Sequence, residues 1–279
     1  MENIKYSVIV PTLGRAAEVE ALLNSIAAER YSSLEVIVVD QNADDRLVEV
    51  INKFTSVLDI THLKVSFRGA SRARNYGARR ARGEFFFFPD DDAEILPGFF
   101  QLSDSIFDGQ SDLSVLFGRC VDRDGKNSVV DFCTQPGYLT LKKHAGMFVE
   151  ATMVIKRKIF SLYEFDEFLG VGTFHGAEEA YDLVLRLLYD SLKLYYTPEL
   201  KIYHPNKIAG YQDPAEIRRV FSYRCGFARL CVKHRMFFRL AKRVFLVSLY
   251  LFYLLIFNRG KLRYYLSEML GIFTGIIVR

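Results

Sequence analysis

Apolar and polar positions follow two rhythms along the first hundred residues. YSVIVP (6–11) and LEVIVVD (34–40) are short, β-branched and continuously apolar, the pattern of strands buried on both faces. LKVSF (63–67) and EFFFFPD (84–90) repeat it. Between them, AAEVEALLNSIAAER (16–30), RLVEVINKF (46–54) and GASRARNYGARRARG (69–83) read as helices. Strands alternating with helices through short connections predict an α/β fold, a mostly parallel Rossmann-like sheet flanked by helices. Ligands of such sheets bind beyond the carboxyl ends of the strands. Residues 11–15, 40–42 and 90–92 should therefore converge on one crevice.

Further on, SVLFGRCV (114–121) and GMFVEATMVIKR (146–157) predict two more strands. GAEEAYDLVLRLLYDSL (176–192) predicts a helix, and KLYYTPELKIYHP (193–205) a strand, a turn and a short strand. From residue 214 the chain reads as helical and basic, and VFLVSLYLFYLLIF (244–257) follows without a charge. That run of 14 residues makes a helix of about 21 Å at about 1.5 Å per residue, short of a bilayer core of about 30 Å. It is expected to lie in a membrane plane or sink partly into it. No internal repeat or low-complexity linker interrupts the chain, which divides into a domain over 1–210 and a helical membrane-associating extension over 211–279.

Half of the 279 residues are hydrophobic, enough for a sizeable core. The net charge of +4 is unevenly spread, because residues 218–243 hold nine Lys or Arg and no Asp or Glu. Such asymmetry implies an anionic partner. An anionic membrane surface contacted through 218–263 fits, since Arg259, Lys261 and Arg263 follow the apolar run. The competing reading is a basic-faced helix packed on the domain over 1–210. Nucleic acid is not expected as a partner, because no recognition motif accompanies the charge. Cys120, Cys133, Cys225 and Cys231 have no CxxC spacing and read as reduced thiols. The opening MENIKYSVIVPT has no long apolar run and predicts no signal peptide. Together these place the chain in the cytoplasm, peripheral on the inner face of the cell membrane.

The chemistry-bearing candidates stand at element ends. Asp90, Asp91 and Asp92 repel one another unless a cation intervenes, and hard divalent cations such as Mg²⁺ or Mn²⁺ prefer such oxygen ligands. The plain alternative is a solvated acidic turn, which a buried parallel strand just before it disfavours. Arg72, Arg74 and Asn75 lie near a helix start, where anions are favoured, whereas Arg79, Arg80 and Arg82 read as a solvated face. Asp40 ends the second strand, and Asp44 or Asp45 is a better cap for the next helix. Glu178 and Glu179 open a helix, where carboxylates are also ordinary stabilisers. His204 ends a short strand.

SVIVPTLGR, LEVIVVDQN, SRARNYGARRARGEFFFFPDDDAEILPGFF, GAEEAYDLVLRLL and IYHP occur in an order that resembles family 2 glycosyltransferases of the inverting, GT-A type. The resemblance spans about residues 4 to 210, some three quarters of the chain. It implies a metal-dependent enzyme using a nucleoside diphosphate sugar with Mn²⁺ or Mg²⁺, and a glycan or lipid-linked acceptor in cell-surface polysaccharide synthesis. Pro11, Thr12 and Arg15 resemble the first nucleotide-binding loop, and Asp40 the carboxylate that binds the nucleoside. Gln41 follows where many members carry a second acid, so the nucleoside stays open. Arg74 and Asn75 match a segment beside the nucleotide. Asp90 and Asp92 look like the DxD pair, touching ribose and the diphosphate-bound metal, with Asp91 between them among the donor-binding residues. Glu178 and Glu179 stand at the acidic pair that supplies the catalytic base, and both ways of counting the motif retain Glu179. His204 resembles a histidine that completes the metal site in some members. A sugar nucleotidyltransferase and an inactive membrane-associated nucleotide-sugar-binding protein are the alternatives. VPTLGR is a poor phosphate loop for the first, and the acidic residues argue against the second.

Overall fold

A computed structural model describes residues 4–206 and 210–278. They form two compact units, one built from residues 4–68, 72–164 and 183–206, the other from 69–71, 165–182 and 210–278.

The first unit is a nine-stranded sheet with helices. Its elements are β1 (Tyr6–Thr12), α1 (Ala17–Ala28), β2 (Leu34–Asp40), α2 (Val48–Asn52), β3 (Asp59–Lys64), α3 (Ala70–Ala78), β4 (Phe85–Phe87), β5 (Glu94–Ile95), α4 (Phe99–Gly109), β6 (Leu113–Val121), β7 (Gly137–Tyr138), β8 (Val154–Lys156), α5 (Arg157–Phe160), α6 (Glu179–Tyr189) and β9 (Lys193–Tyr203), with the first turn of α6 in the second unit. The order is β3-β2-β1-β4-β8-β6-β9-β5, and β7 pairs with β9. β3, β2, β1 and β4 run parallel, as do β6 and β9, while β8 is antiparallel to both its neighbours.

β1 and β2 are buried at every position. Pro11 is tolerated in β1 because β4 pairs only with residues 6–8, so the missing N–H breaks no bond on that side. The four phenylalanines after Glu84 divide between two faces. Phe85 and Phe87 meet Phe107 and Phe99 of α4 at 4.4 and 4.6 Å. Phe86 and Phe88 meet Phe160 of α5 at 5.7 and 4.9 Å.

Four expectations need correction. β3 lies at 59–64 rather than 63–67. As an edge strand it has no fully buried residue, only partly covered Ile60, His62 and Leu63, so its apolar signal is weak. Within 146–157 the sheet strand is β8 alone, and residues 150–152 form a 3₁₀ turn. There the Thr152 hydroxyl donates to the Gly118 and Val149 carbonyls, a local alternative to the ladder. Residues 193–203 form one strand instead of two. Pro198 falls where the register with β6 shifts between Phe117 and Arg119, so no ladder bond is lost. α2 carries no side-chain cap, because Asp44 binds the Arg46 guanidinium instead.

The second unit is helical. It holds α7 (Pro214–Lys233), α8 (Phe237–Phe257) and α9 (Leu262–Ile277), together with the start of α6. Phe227, Ala228, Cys231, Leu240 and Ile272 form its core. Gly271 and Gly275 let α9 approach α7 closely, since a Cβ at either would sit 2.4 Å from the carbonyl oxygen of Phe221 or Cys225. α8 begins before the uncharged run and is 21 residues long. By length and composition it is therefore long and apolar enough to cross a membrane, which removes the length argument against a span. Leu240, Val247 and Leu254, seven apart, are its buried residues. Phe238, Phe245, Leu249, Phe252 and Ile256 are exposed.

Gly118 faces the shifted part of β9, where a Cβ would lie 2.1 Å from the Leu200 carbonyl oxygen. Gly118→Ala is expected to cost roughly 1–3 kcal/mol in urea unfolding. An unchanged midpoint would mean that this backbone approach is not tight.

Candidate active site

The carboxyl ends of β1, β2 and β4 bring three polar segments of the first unit together. Thr12 and Asp40 are register partners. The Gly14 N–H donates to Asn42 Oδ1 at 2.6 Å. Arg15 then reaches from the β1 loop to the acidic segment after β4, where it pairs with Asp91 and, at 2.9 Å, with Asp92. The expected convergence is thus realised.

Asp90 and Asp92 each divide their two oxygens. Asp90 Oδ1 accepts from Arg74 Nη2 at 3.0 Å, and its Oδ2 lies 3.3 Å from His204 Nε2. Asp92 Oδ2 faces Arg15, and its Oδ1 lies 3.4 Å from the same His204 nitrogen. His204 is delivered by β9, because β5 pairs with the end of that strand through Glu94 and Tyr203. Its Nδ1 bonds the Pro205 carbonyl at 3.0 Å, which fixes the tautomer and leaves Nε2 for the carboxylates. Burial opposes the charged forms here, but the partners prevail. His204, Arg74 and Arg15 hold the Asp90 carboxyl below its ordinary value. Asp90 and Asp92 raise the His204 imidazole above its own. Asp91 goes the other way: burial raises it despite Arg15.

One ligand atom from each of Asp90, Asp92 and His204 lies within 4.8 Å of the other two. Two carboxylates and an imidazole, without thiolate, suit a divalent cation such as Mn²⁺ or Mg²⁺. The residues present therefore fit the metal that the motif implies.

Arg74 is 2% exposed, and Asn75 beside it is buried too. Arg72 instead lies over the Phe67 ring at 4.2 Å. Arg79 pairs with Glu164 and Arg82 with Asp59 at the surface, as a solvated face should, while Arg82 also covers the buried carboxylate of Glu35. Asp40 is 0% exposed, and both its oxygens are engaged. Oδ1 accepts from the Asn42 backbone and side-chain nitrogens at 2.8 and 2.7 Å, and Oδ2 is 3.0 Å from His62 Nε2. Gln41 Oε1 is buried and has no hydrogen-bond partner among the described residues. Sequence reasoning missed His62, whose contact with Asp40 arises from the β2–β3 register, while Asn42, within the expected 40–42 segment, meets Asp40 through a local turn.

Glu178 and Glu179 belong to the second unit. Glu179 begins α6 and is 4% exposed, pressed by Gly170, where a Cβ would lie 3.0 Å from its carboxyl carbon. Glu178 is half-buried, with φ +77°, a conformation that bulky residues adopt only under constraint. Burial raises its carboxyl above the ordinary range, against the opposing pull of Arg239 and Arg224. Asp182, one turn on and fully buried, is anchored by Lys233 Nζ at 2.6 Å and His234 Nε2 at 2.8 Å. The helical spacing of Glu178 and Asp182 was the available signal for it.

Two carboxylates, an imidazole and two arginines thus stand together at the carboxyl edge of an α/β sheet. The family model for glycosyl transferase family 2 matches residues 7–161, and the chain belongs to that family. It is 28% identical over 193 residues to an uncharacterized glycosyltransferase of Haemophilus influenzae, across 65% of this chain and 61% of that one. It is 30% identical over 174 residues to the GalNAc(5)-diNAcBac-PP-undecaprenol beta-1,3-glucosyltransferase of Campylobacter jejuni, across 60% of this chain and 51% of that one. The chain thus spans only half to three fifths of these relatives. Among solved structures, Staphylococcus aureus TarS with UDP-GlcNAc aligns with TM-score 0.63 at 20% identity, over 73% of this chain and 59% of that one. A Pyrobaculum calidifontis mannosyltransferase with GDP-Man and Mn²⁺ aligns with TM-score 0.61 at 20% identity, over 80% and 62%. The shared fold is GT-A.

In metal-free protein, the raised His204 gives stability that is complete below its ordinary value of 6.5 and is lost as pH rises through the raised value. Urea titrations in chelator should record that loss, and His204→Gln should flatten it. Mn²⁺ affinity should move the opposite way, because the ligand nitrogen must be unprotonated.

Proposed function

We propose that the chain is an inverting glycosyltransferase, moving a sugar from a nucleoside diphosphate sugar to a hydroxyl of a glycan or lipid-linked acceptor in cell-surface polysaccharide synthesis. The observation that carries this reading is the Asp90, Asp92 and His204 cluster, flanked by Arg15 and Arg74 at the carboxyl edge of the sheet. The relatives support the acceptor class, since their names specify a poly(ribitol-phosphate) and an undecaprenol-linked acceptor.

Asp90, Asp92 and His204 would hold a divalent cation. That cation supplies charge neutralisation for a departing diphosphate. Arg15 and Arg74 add fixed positive charge beside the same oxygens. Pro11, Thr12, Gln41 and Asn75 line the donor, Asp91 sets Arg15, and Asp40 acts through Asn42 and His62. The acceptor hydroxyl loses its proton to the Glu178–Glu179 pair. Motif counting favours Glu179. Exposure and the raised carboxyl favour Glu178, and we assign it the proton, with Glu179 as its buried support.

The second unit is read as the membrane-associating part of a cytoplasmic, peripheral enzyme. Its support is the one-sided α8, with one seam buried, an apolar face outward, and Arg259 and Arg263 exposed just beyond.

Assays over a panel of nucleotide sugars, with and without chelator, test the reaction. Donor turnover should need Mn²⁺ or Mg²⁺, and Asp92→Asn should lose activity that added Mn²⁺ does not restore. Glu178→Gln should lower kcat by about 10²- to 10⁴-fold and erase the acid limb of the pH profile. In the wild type that limb lies above the ordinary glutamate range, because the base must be ionised. Wild-type turnover in Glu178→Gln would transfer the role to Glu179. Separately, sedimentation with phosphatidylglycerol vesicles should be strong at low salt and weaken as salt rises. Protein that ignores such vesicles at low salt contradicts the membrane reading.

A further inference from the structure

The 3₁₀ turn at residues 150–152 leads into β8 and is pinned to β6, since the Thr152 hydroxyl donates to the Gly118 carbonyl at 3.1 Å. Val149, Ala151, Thr152 and Met153 are all buried. Glu150 alone among these five residues keeps part of its side chain, 27%, exposed. A buried, anchored turn thus presents one carboxylate. It presents it beside the acidic segment that follows β4. Arg74 Nη2 stands between the two, 3.0 Å from Asp90 Oδ1 and 4.0 Å from Glu150 Oε1. The Asp90 and Glu150 oxygens are therefore no further apart than those two distances combined. Burial raises the Cys120 thiol of β6, and Asp90 and Glu150 both add to the rise, so both carboxylates lie near that one side chain. Neither cation binding at Asp90, Asp92 and His204 nor the proton transfer described above uses Glu150.

The chemistry of a carboxylate restricts what it can serve. An ionised carboxylate only accepts hydrogen bonds, and it repels other anions. It is a poor neighbour for diphosphate oxygens, which Arg15, Arg74 and a cation held by Asp90, Asp92 and His204 suit instead. The parts of a nucleoside diphosphate sugar that flank the diphosphate and offer uncharged O–H donors are the ribose and the sugar. The order of the sheet separates them. β1, which carries Thr12, and β2, which leads to Gln41, lie on one side of β4, whereas β8, which follows Glu150, lies on the other. A donor with its nucleoside over β1 and β2 and its diphosphate at Asp90 and Asp92 directs its sugar toward β8. A hydroxyl donating to a carboxylate makes a charge-assisted bond, and each carboxylate oxygen accepts more than one donor, so Glu150 serves a sugar alongside its other contacts.

We infer that Glu150 accepts a hydrogen bond from a hydroxyl of the donor sugar and selects uncharged sugars against those that carry a carboxylate. This rests on the glycosyltransferase reading above and adds to it the residue that reads the sugar.

The test is calorimetric binding, with Mn²⁺ present, of two donor pairs that differ only at C6: UDP-glucose with UDP-glucuronate, and GDP-mannose with GDP-mannuronate. UDP and GDP serve as sugar-free references. For the nucleotide that binds, the hexose should bind at least about tenfold more tightly than its uronate, as expected when a charge-assisted hydrogen bond is replaced by contact between like charges. Glu150→Gln should remove most of that preference, and Glu150→Asp, which keeps the charge, should retain part of it. Neither variant should weaken binding of the bare nucleotide, which also reports that both fold. A uronate that binds wild-type protein as tightly as its hexose overturns the inference, and so does a preference that survives intact in Glu150→Gln. Glu150→Gln weakening the bare nucleotide as much as the nucleotide sugar also overturns it, because an anchor for Arg74 alone gives that result. If neither nucleotide binds, the donor reading fails and the inference with it. The preference as described, with no sugar moved from any nucleotide sugar, supports the role of Glu150 and refutes the glycosyltransferase reading.

Discussion

Mutual repulsion among three adjacent carboxylates is the constraint around which the first unit is arranged. β4 is buried on both faces by phenylalanines, so the chain must leave the core where β4 ends, and Asp90 to Asp92 emerge there. Their charge is met from three directions: Arg15 from the β1 loop, Arg74 from α3 and His204 from β9. Each arginine is itself held by the fold, Arg74 by burial and Arg15 by two acidic partners. The outcome is a set of oxygens and one nitrogen already gathered, with fixed cations behind them. Such preorganisation is what a leaving diphosphate requires, because little has to move when its charge develops.

The second unit handles charge differently. Two of its buried acids, Asp182 and Glu268, are each bound by two basic groups, and those pairs tie α6 to α7 and α9 to both α7 and α8. Buried pairs of this kind contribute modestly to stability but fix the relative setting of helices. Glu178 is the exception: it is half-buried, held in a left-handed conformation, and faced by arginines that do not neutralise it fully. That contrast sets Glu178 apart from Asp182 and Glu268, whose charges are met by basic partners.

Much of this was legible in the sequence, for a physical reason. Strands buried on both faces write continuous apolar runs, so β1, β2 and β4 and the polar segments after them could be read directly. Edge strands write weaker patterns, and β3 was displaced accordingly. Pro198 looked like a turn because a proline usually breaks a ladder; only Gly118 opposite and the shifted register explain why it does not. His62 could not be found from spacing, since Asp40 meets it through strand register. The length of α8 was underestimated because Arg239, Lys242 and Arg243 ended the uncharged run, although arginine and lysine propagate helices well. Asp182 lay within a helical pattern where an acid reads as surface, and its burial depends on Lys233 and His234 more than fifty residues later.

The central claim is that Asp90, Asp92 and His204 hold one divalent cation together with a nucleoside diphosphate. Electron paramagnetic resonance of Mn²⁺ titrated into the protein tests it most directly. The account predicts that free Mn²⁺ signal disappears at one equivalent, that UDP or GDP tightens the binding, and that Asp92→Asn and His204→Gln each release the ion. Mn²⁺ that stays free with nucleotide present, or that binds as well in both variants, would contradict it.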